Sequence, residues 1–369
     1  MSKVTESIGS LILVALMFVA TPLHAAATAK VAFTDSAAAG LSGTKRVAIT
    51  SVIVSFQASA GGEKTNTSGM FAARTNASAS LQMPDMDTKL LASITDEIYT
   101  QLQADLQANG YEVLPEATVS ASATYQKIVQ MAGITHFSKF ADLNGDTLLV
   151  GAGNLKPYLP YSLESGKFTT QIKSLIKGWV GTFGKSSTEG GPSNIRSGEN
   201  YALPGLEVNL AKELNAHLIK ATYVITLGST KAAVDRFSSR THNSYTGSAF
   251  AQVGLLAGQS RIAFRTATAN PKGESASGGY MANFGNNAGP AKDGNVVVAL
   301  GESLNGGTDF FTVTGGAKPG GLAGFLGVRP GADAQFEFTA AISDPAAYRE
   351  EVVSMVKLAQ REMLTLVKQ

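Results

Sequence analysis

The sequence predicts an α/β fold of the α+β type, in which helices cover a mixed β-sheet. Two helix-and-strand patterns predict this fold, the first within residues 46–114 and the second within 206–227. A third observation is the series of short apolar and β-branched segments that follows. It predicts a β-rich second half with long glycine-rich loops and a C-terminal helix.

The first strand is expected at Arg46–Phe56, where apolar and β-branched residues occupy both faces of the strand period. A strand with this pattern is buried on both sides of a sheet. Before it, the small and polar residues of 30–44 predict a flexible start of the mature chain. After it, residues 57–85 predict a long loop or a hairpin excursion.

A long amphipathic helix follows, and either Asp85 or Asp87 can cap its start. Gly110 suits the left-handed position after a helix end, so 111–114 is predicted to form a short strand beside the first one. A second helix is expected at 120–131. The apolar stripe of the long helix has a spacing of four and consists of Leu90, Ile94, Ile98, Leu102 and Leu106.

The region 133–204 is less regular, and we interpret it as an insertion. It contains a predicted strand at 146–150. It also contains a predicted amphipathic helix at Phe168–Val180. One side of that helix is apolar and the other is basic, as marked by Trp179, Lys173 and Lys177.

The helix-and-strand pattern returns after Pro204. The strand at 221–227 is expected to end at Gly228, and 269–294 is expected to be a long glycine-rich excursion. The apolar stripe of the helix is formed by Leu206, Leu210, Leu214 and Leu218. Further strands are predicted at 252–268, 295–303, 309–314 and 335–340.

The C-terminal helix is expected to start at Ser343 or Asp344, with Pro345 in its first turn. Its apolar residues follow a heptad-like spacing and are Val352, Val356, Ala359, Met363 and Leu366. Such a seam fits either a helix laid on the sheet or a self-associating coil. We favour the sheet because fewer than three heptads are present.

The first residues have the order of a secretory signal peptide: Lys3, an uncharged apolar run and small residues at 25–29. The apolar run is too short to cross about 30 Å of hydrocarbon. We therefore expect an exported protein. The predicted divisions are a signal peptide at 1–29, a first α/β unit at 30–132, the insertion at 133–204, and a final part at 205–369 that can share one domain with the first unit.

Composition narrows the classes of partner and compartment. The formal net charge is +2 and no basic stripe is visible, so nucleic acid is not an expected partner. The sequence has no cysteine, which excludes disulfides, cysteine nucleophiles and a lipid-bearing N-terminal cysteine. The expected location is the periplasm or outer-membrane periphery of a bacterium, or the extracellular space, without a lipid anchor.

One short segment has the spacing of calcium ligands. Asp142, Asn144 and Asp146 stand at alternate positions, as in the start of an EF-hand loop. Thr147 and Gly153 then occupy the places where such a loop needs glycine and glutamate. We therefore interpret the segment as an Asx-rich turn without a metal.

No motif predicts catalysis. Ser174 and Lys177 match S-x-x-K, but the accompanying Ser-Asp-Asn and Lys-Thr-Gly motifs are missing. His136, His217 and His242 are far apart, and we expect His217 to lie beside the apolar stripe of its helix. No catalytic residue, metal ligand or cofactor is expected.

Two segments are candidate contacts. The apolar glycine-rich segment Gly320–Val328 fits either a loop packed on the core or an exposed tip against a partner or a membrane. The basic amphipathic helix Phe168–Val180 fits the same two alternatives: it packs on the core, or it lies against a partner or a membrane. The candidate contact residues are Leu322, Phe325, Leu326, Trp179, Lys173 and Lys177. A candidate apolar pocket between sheet and helices is lined by Tyr223, Phe336 and Phe338.

Four segments, taken in order, resemble the α/β envelope domain of the curli-secretion lipoprotein CsgG and of the amino-terminal part of TolB. They are the strand Arg46–Phe56, the step Leu106–Val113, the helix and strand Leu206–Leu227, and the β-rich part after Gly228. In that family the step reads L-x-x-x-G-Y-x-V. The resemblance implies an envelope accessory protein with an α/β fold, although this sequence lacks the lipid-bearing cysteine.

The sequence therefore predicts a non-enzymatic envelope accessory protein that binds another periplasmic or outer-membrane component or associates with itself. One alternative is a periplasmic carrier of a small apolar or amphiphilic, lipid-like ligand. The third hypothesis is an exported hydrolase, whose site would be assembled from distant residues. Peripheral contact with a membrane is compatible with the first two.

Overall fold

The computed structural model describes residues 31–33, 41, 44–66, 75–142, 145–158, 203–236, 243–266, 295–317 and 334–367. It confirms the predicted α/β fold class, with two mixed sheets and a set of helices that includes the C-terminal one. The predicted helix Phe168–Val180 and the excursion 269–294 lie outside these residues.

Strands and helices alternate irregularly along the chain. The first part contains β1 (Val31–Phe33), β2 (Arg46–Gln57), β3 (Ser59–Asn66), β4 (Thr75–Gln82), α1 (Thr88–Ala108), β5 (Glu112–Val113), α2 (Glu116–Ser120), α3 (Ala123–Ala132), β6 (Phe137–Asp142) and β7 (Gly145–Gly151). The second part contains α4 (Leu203–Leu214), β8 (His217–Arg236), β9 (Asn243–Leu255), β10 (Arg261–Arg265), β11 (Asn295–Leu300), β12 (Leu304–Asn305), β13 (Phe311–Ala317), β14 (Ala334–Ile342) and α5 (Pro345–Leu366).

The larger sheet has β2 and β8 at its centre, in the order β1-β11-β10-β8-β2-β7-β6. β2 is buried at every position between its two ends, as predicted, because helices cover both faces of the sheet around it. α1 and α5 lie on one face, and α2, α3 and α4 lie on the other. β5 pairs in parallel beside the start of β2, which confirms the predicted neighbour. We call this part the α/β body.

The long helix α1 begins and ends where its capping residues predict. Asp87 is the cap, and its carboxylate accepts hydrogen bonds from the backbone N–H groups of Lys89 and Leu90 at 2.9 and 3.3 Å. Asn109 ends the helix and Gly110 follows with φ at 83°. The predicted apolar stripe faces the core of the body.

The C-terminal helix α5 lies on the sheet and on α1, which is the arrangement we favoured. Asp344 caps it by accepting from the N–H groups of Ala346 and Ala347. Its seam is buried from Val352 to Met363, whereas Leu366 is exposed. The seam is therefore occupied by this chain itself.

Three expectations were wrong at element boundaries. Val31–Phe33 is not a flexible start but an edge strand that pairs antiparallel with β11. The helix expected at 120–131 starts only at Ala123, because Ser122 accepts from the N–H of Tyr125 and caps it, and a separate short helix ends at Ser120. The strand expected at 252–268 is two strands that meet at a turn containing Gly258.

The second helix-and-strand unit changes from helix to strand earlier than its leucine spacing predicts. α4 ends at Leu214 because Asn215 takes a left-handed conformation with φ at 46°. Leu218 is therefore a strand residue, although it continues the spacing of four. β8 starts at His217 and pairs in parallel with β2.

We predicted that the strand ends at Gly228. The structure instead shows a β-bulge at Gly228 within a longer strand. The register of β8 against β9 shifts between Thr226 and Gly228, and the strand then continues to Arg236. Gly228 has φ at 137°, and a Cβ placed on it would overlap the carbonyl oxygen of Phe250. Only glycine fits this position, because a side chain would be strained and would also collide.

Beyond the bulge, three hairpins form a second part of the fold. The smaller sheet has the order β13-β14-β4-β3 and packs on the hairpin made by Gly228–Arg236 and 243–251. We call these strands the hairpin layer. The excursion expected at 57–85 is one of these hairpins, β3 and β4.

We predict that Gly228→Ala lowers the free energy of unfolding by more than about 1 kcal/mol, because the new methyl group meets the backbone of β9 and the φ angle suits only glycine. Urea denaturation measures the change. The matched control is Gly205→Ala in α4, where a Cβ meets no atom within 4 Å and alanine favours the helix. An equal loss of stability in both variants would contradict the bulge argument.

Candidate functional site

A buried charged cluster lies on the sheet face that α4 covers. Glu207, on α4, is fully buried, and its Oε1 lies 2.6 Å from Nζ of Lys220 on β8. Its Oε2 lies 2.7 Å from Nε of Arg265 on β10. One helix carboxylate thus bridges cations on two neighbouring strands.

Tyr158 connects this cluster to the chain that follows β7. Its side chain is fully buried, and its hydroxyl donates to Glu207 Oε1 at 3.2 Å and lies 2.9 Å from the Thr50 hydroxyl. The Ser51 hydroxyl donates to the carbonyl oxygen of Tyr158 at 3.1 Å. Nζ of Lys220 lies 5.7 Å from the centre of the tyrosine ring, within reach of a cation–π contact.

The electrostatics of the cluster keep Glu207 ionised. Burial alone would raise the pKa of Glu207, but Lys220 and Arg265 lower it, so that it lies below its ordinary value. Both carboxylate oxygens are occupied by cations. The arrangement therefore fixes α4 and the Tyr158 segment on the sheet by charge.

We did not predict this cluster from the sequence, although the sequence contains a pattern that indicates it. Arg261 and Arg265 alternate with apolar residues in a strand whose other face is buried, and both arginines are themselves buried. Two basic residues on one face of a buried strand require an anionic neighbour. Glu207, between Leu206 and Val208 on an apolar helix, was the residue to match with them.

Two of the histidines lie in the described part of the chain. His136 Nδ1 is 3.4 Å from the carbonyl oxygen of Gly151. His217 opens β8 and does not lie on a helix, which corrects our expectation. Its ring is buried near the backbone of Leu41 and Thr44, and burial lowers its pKa. His242 lies outside the described residues.

The residues of the candidate pocket occupy two different places. Tyr223 is fully buried in the core of the body, where its hydroxyl accepts a hydrogen bond from Gln360 Nε2 at 2.9 Å. Phe336 and Phe338 belong to the hairpin layer. The structure thus brings the two phenylalanines into one cluster and leaves Tyr223 in another.

The candidate contact residues are not among those described. They are Leu322, Phe325, Leu326, Trp179, Lys173 and Lys177. Ser174, which matches the S-x-x-K pattern together with Lys177, is also outside the described residues. Asp142 and Asp146 flank the connection between the antiparallel strands β6 and β7. No group of three His, Cys, Asp or Glu side chains is placed to hold a metal ion in the described ranges.

The hairpin layer is the second candidate, as an interaction surface. β4 and β14 are parallel neighbours, and Ala77 near the start of β4 lies opposite Ala334 at the start of β14. The connections that precede these two strands therefore lie at the same end of the sheet, so the two hairpins end at the same level. Across the layer, the ring of Phe336 packs on Gly247, which brings the third hairpin to that level. The three connections lie between Asn66 and Thr75, between Arg236 and Asn243, and between Ala317 and Ala334.

The strands of the hairpin layer carry exposed side chains on the faces that point away from its buried clusters. The eight residues of β3 span about 26 Å. Most outer side chains are small or polar, such as Ser248 and Thr314. One large apolar side chain on an outer face is an exception: Phe250 is 53% exposed. Val313 is 37% exposed, but it lies opposite the buried Ala340 on the inward face of its sheet.

Comparisons with known proteins add no family to this geometry. No protein-family model, curated protein or solved structure was found to match the chain. In the ranges that the structure covers, no helix is both long and apolar enough to cross a membrane.

We predict that Glu207→Gln lowers the free energy of unfolding by about 3 kcal/mol or more, because Lys220 and Arg265 lose their shared counter-charge in a buried place. Chemical denaturation at neutral pH measures the loss. The control is Glu97→Gln, which breaks the half-exposed pair with Arg349 and should cost at most about 1 kcal/mol. Similar losses in the two variants would refute the role of the buried cluster.

We predict that His217 makes the folded state less stable in mild acid. The folded-state pKa of His217 is lowered, so the unfolded chain binds the proton first. The free energy of unfolding keeps its full value above the pKa that histidine has in the unfolded chain, about 6.5. It decreases as the pH falls from there toward the pKa of His217 in the folded state. Urea unfolding at pH 7.5 and 5.5 measures the difference, which His217→Leu should reduce.

The control for this pH dependence is His136→Leu, which keeps His217 and should keep the difference between the two pH values. A difference that persists unchanged in His217→Leu would assign the pH dependence to other groups.

Proposed function

We propose that this chain is a non-enzymatic accessory protein of the bacterial envelope. It is exported, and it binds another periplasmic or outer-membrane component through its hairpin layer, where it can also self-associate. The observation that carries the proposal is that three hairpins end at one level of the hairpin layer. The order of residues 1–29 and the resemblance to the envelope domain support it.

The chemistry of the layer suits protein recognition. Phe250 is a large exposed ring among small polar side chains, and aromatic residues of this kind dominate binding energy at interfaces. In the described part of the chain, β13 is an end strand of its sheet and pairs with β14 alone. An edge strand offers backbone N–H and C=O groups to an extended partner segment.

We extend the proposal to the apolar residues in the connection between β13 and β14. Leu322, Phe325 and Leu326 belong to the segment that joins Ala317 to Ala334. We propose that they contact the partner or a membrane surface, because large apolar patches on a protein surface typically mark such contacts. Contacts by Trp179, Lys173 and Lys177 stay a prediction from the sequence, as do the carrier and hydrolase alternatives.

We predict that Phe250→Ser reduces the amount of partner recovered with the exported protein at least tenfold, as expected for an aromatic residue at the centre of an interface. The experiment crosslinks the tagged chain in intact cells, isolates the envelope fraction and quantifies copurified proteins by mass spectrometry. Analytical ultracentrifugation of the purified chain tests self-association with the same variant.

The matched control is Phe137→Ser on the edge strand β6 of the body, whose ring is 41% exposed and which should bind as the wild type does. Equal recovery with Phe250→Ser and the wild type, or equal loss with both variants, would overturn the proposed surface. A chain that stays in the cytoplasm with residues 1–29 attached would overturn the envelope role.

A further inference from the structure

We propose that the hairpin layer opens as a separate unit while the α/β body stays folded, and that the contact of Phe336 with Gly247 controls this opening. The opening is a property of the isolated chain and does not need the proposed partner. It follows from how differently the two parts of the fold are packed.

The cores of the two parts contain different side chains. The core of the body is built from large side chains on both sheet and helices, such as Phe56, Leu102 and Val352. The far part of the hairpin layer buries mainly Ala77, Ala79 and Ala232. Methyl groups remove little apolar surface from water, so this part gains less from burial than the body does.

One aromatic contact replaces large aliphatic packing at the far level of the layer. The ring of Phe336 occupies the space where Gly247 has no side chain, and a Cβ on Gly247 would overlap the ring. The Thr230 hydroxyl donates to the carbonyl oxygen of Ala79 at 3.1 Å across the same layer. Phe338 also packs on the alanine cluster, and loss of the Phe336 ring would remove the contact with Gly247 at this level.

The opening has a defined boundary at the base of the layer. There Leu81, Met83 and Leu227 form a cluster with larger side chains. Met86, Phe311 and Ile342 pack against both this cluster and the core of the body. The bulge at Gly228 lies just beyond Leu227, so the ladder of β8 and β9 is already interrupted where the two parts meet.

Native-state hydrogen exchange followed by mass spectrometry tests the proposal on the full mature chain. We expect peptides from 59–66, 229–236 and 334–339 to exchange through an opening that depends weakly on added denaturant. Peptides from β2, α1 and α5 should exchange only through global unfolding, with a strong dependence on denaturant. Equal protection and equal denaturant dependence in both parts would overturn the proposal.

Two variants are expected to speed exchange in different parts of the fold. Phe336→Ala should speed exchange in the hairpin layer at least tenfold and leave α1 and α5 unchanged. Val352→Ala, a core change on α5, should speed exchange in the body and leave the layer unchanged, because the layer already opens more often. If Phe336→Ala accelerates both parts equally, the fold is one cooperative unit and the proposal fails.

A third variant tests the contact itself. Gly247→Ala should speed exchange in the layer, since the new methyl group displaces the Phe336 ring. Adding Gly247→Ala to Phe336→Ala should cause no further acceleration, because the ring that it would displace is gone. Additive effects in the double variant would show that the two residues act independently and would refute the assigned contact.

Discussion

The parallel pairing of β2 with β8 is the interaction on which the rest of the structure depends. β2 supplies the central buried strand, and β8 begins beside it and continues beyond the body as a strand of the hairpin layer. The irregularity between Ile49 and Ser51 sets the register in which Lys220 lies opposite Ser51. A slip by one residue would turn Lys220 to the opposite face, away from Glu207. In the observed register, Lys220 and Arg265 share the sheet face that Glu207 covers, and the charged cluster is satisfied.

Much of the fold was predictable because several local signals agreed. In α1 and α5, the spacing of apolar residues, a capping aspartate and the residues that follow all indicate the same helix, and the structure agrees with each. The burial of β2 on both faces followed from its unbroken apolar pattern. Such features are encoded within one element, so a single sequence is enough to find them.

The errors concern features that depend on distant residues. Leu218 continued a helical spacing, but Asn215 ended the helix and the pairing with β2 made it a strand residue. Gly228 has the same local pattern whether it ends a strand or forms a bulge, and the choice depends on how Phe250 approaches it from β9. The buried cluster escaped notice because Glu207, Lys220 and Arg265 come from three separate elements. The strand position of Leu218 and the bulge at Gly228 depend on the tertiary arrangement, whereas the two arginines of β10 were a signal for the cluster within the sequence.

The pairing of β1 with β11 has a consequence for the order in which the chain folds. β1 lies early in the sequence, and its neighbour in the sheet starts only at Asn295. The central strand β2 has earlier neighbours in β5 and β7, but its parallel partner β8 starts only at His217. If the chain crosses a membrane from its N-terminus, as we propose, β1 emerges long before β11 does, and β2 long before β8. The two central strands then pair only after β8 has arrived, and β1 stays unpaired until β11 has followed.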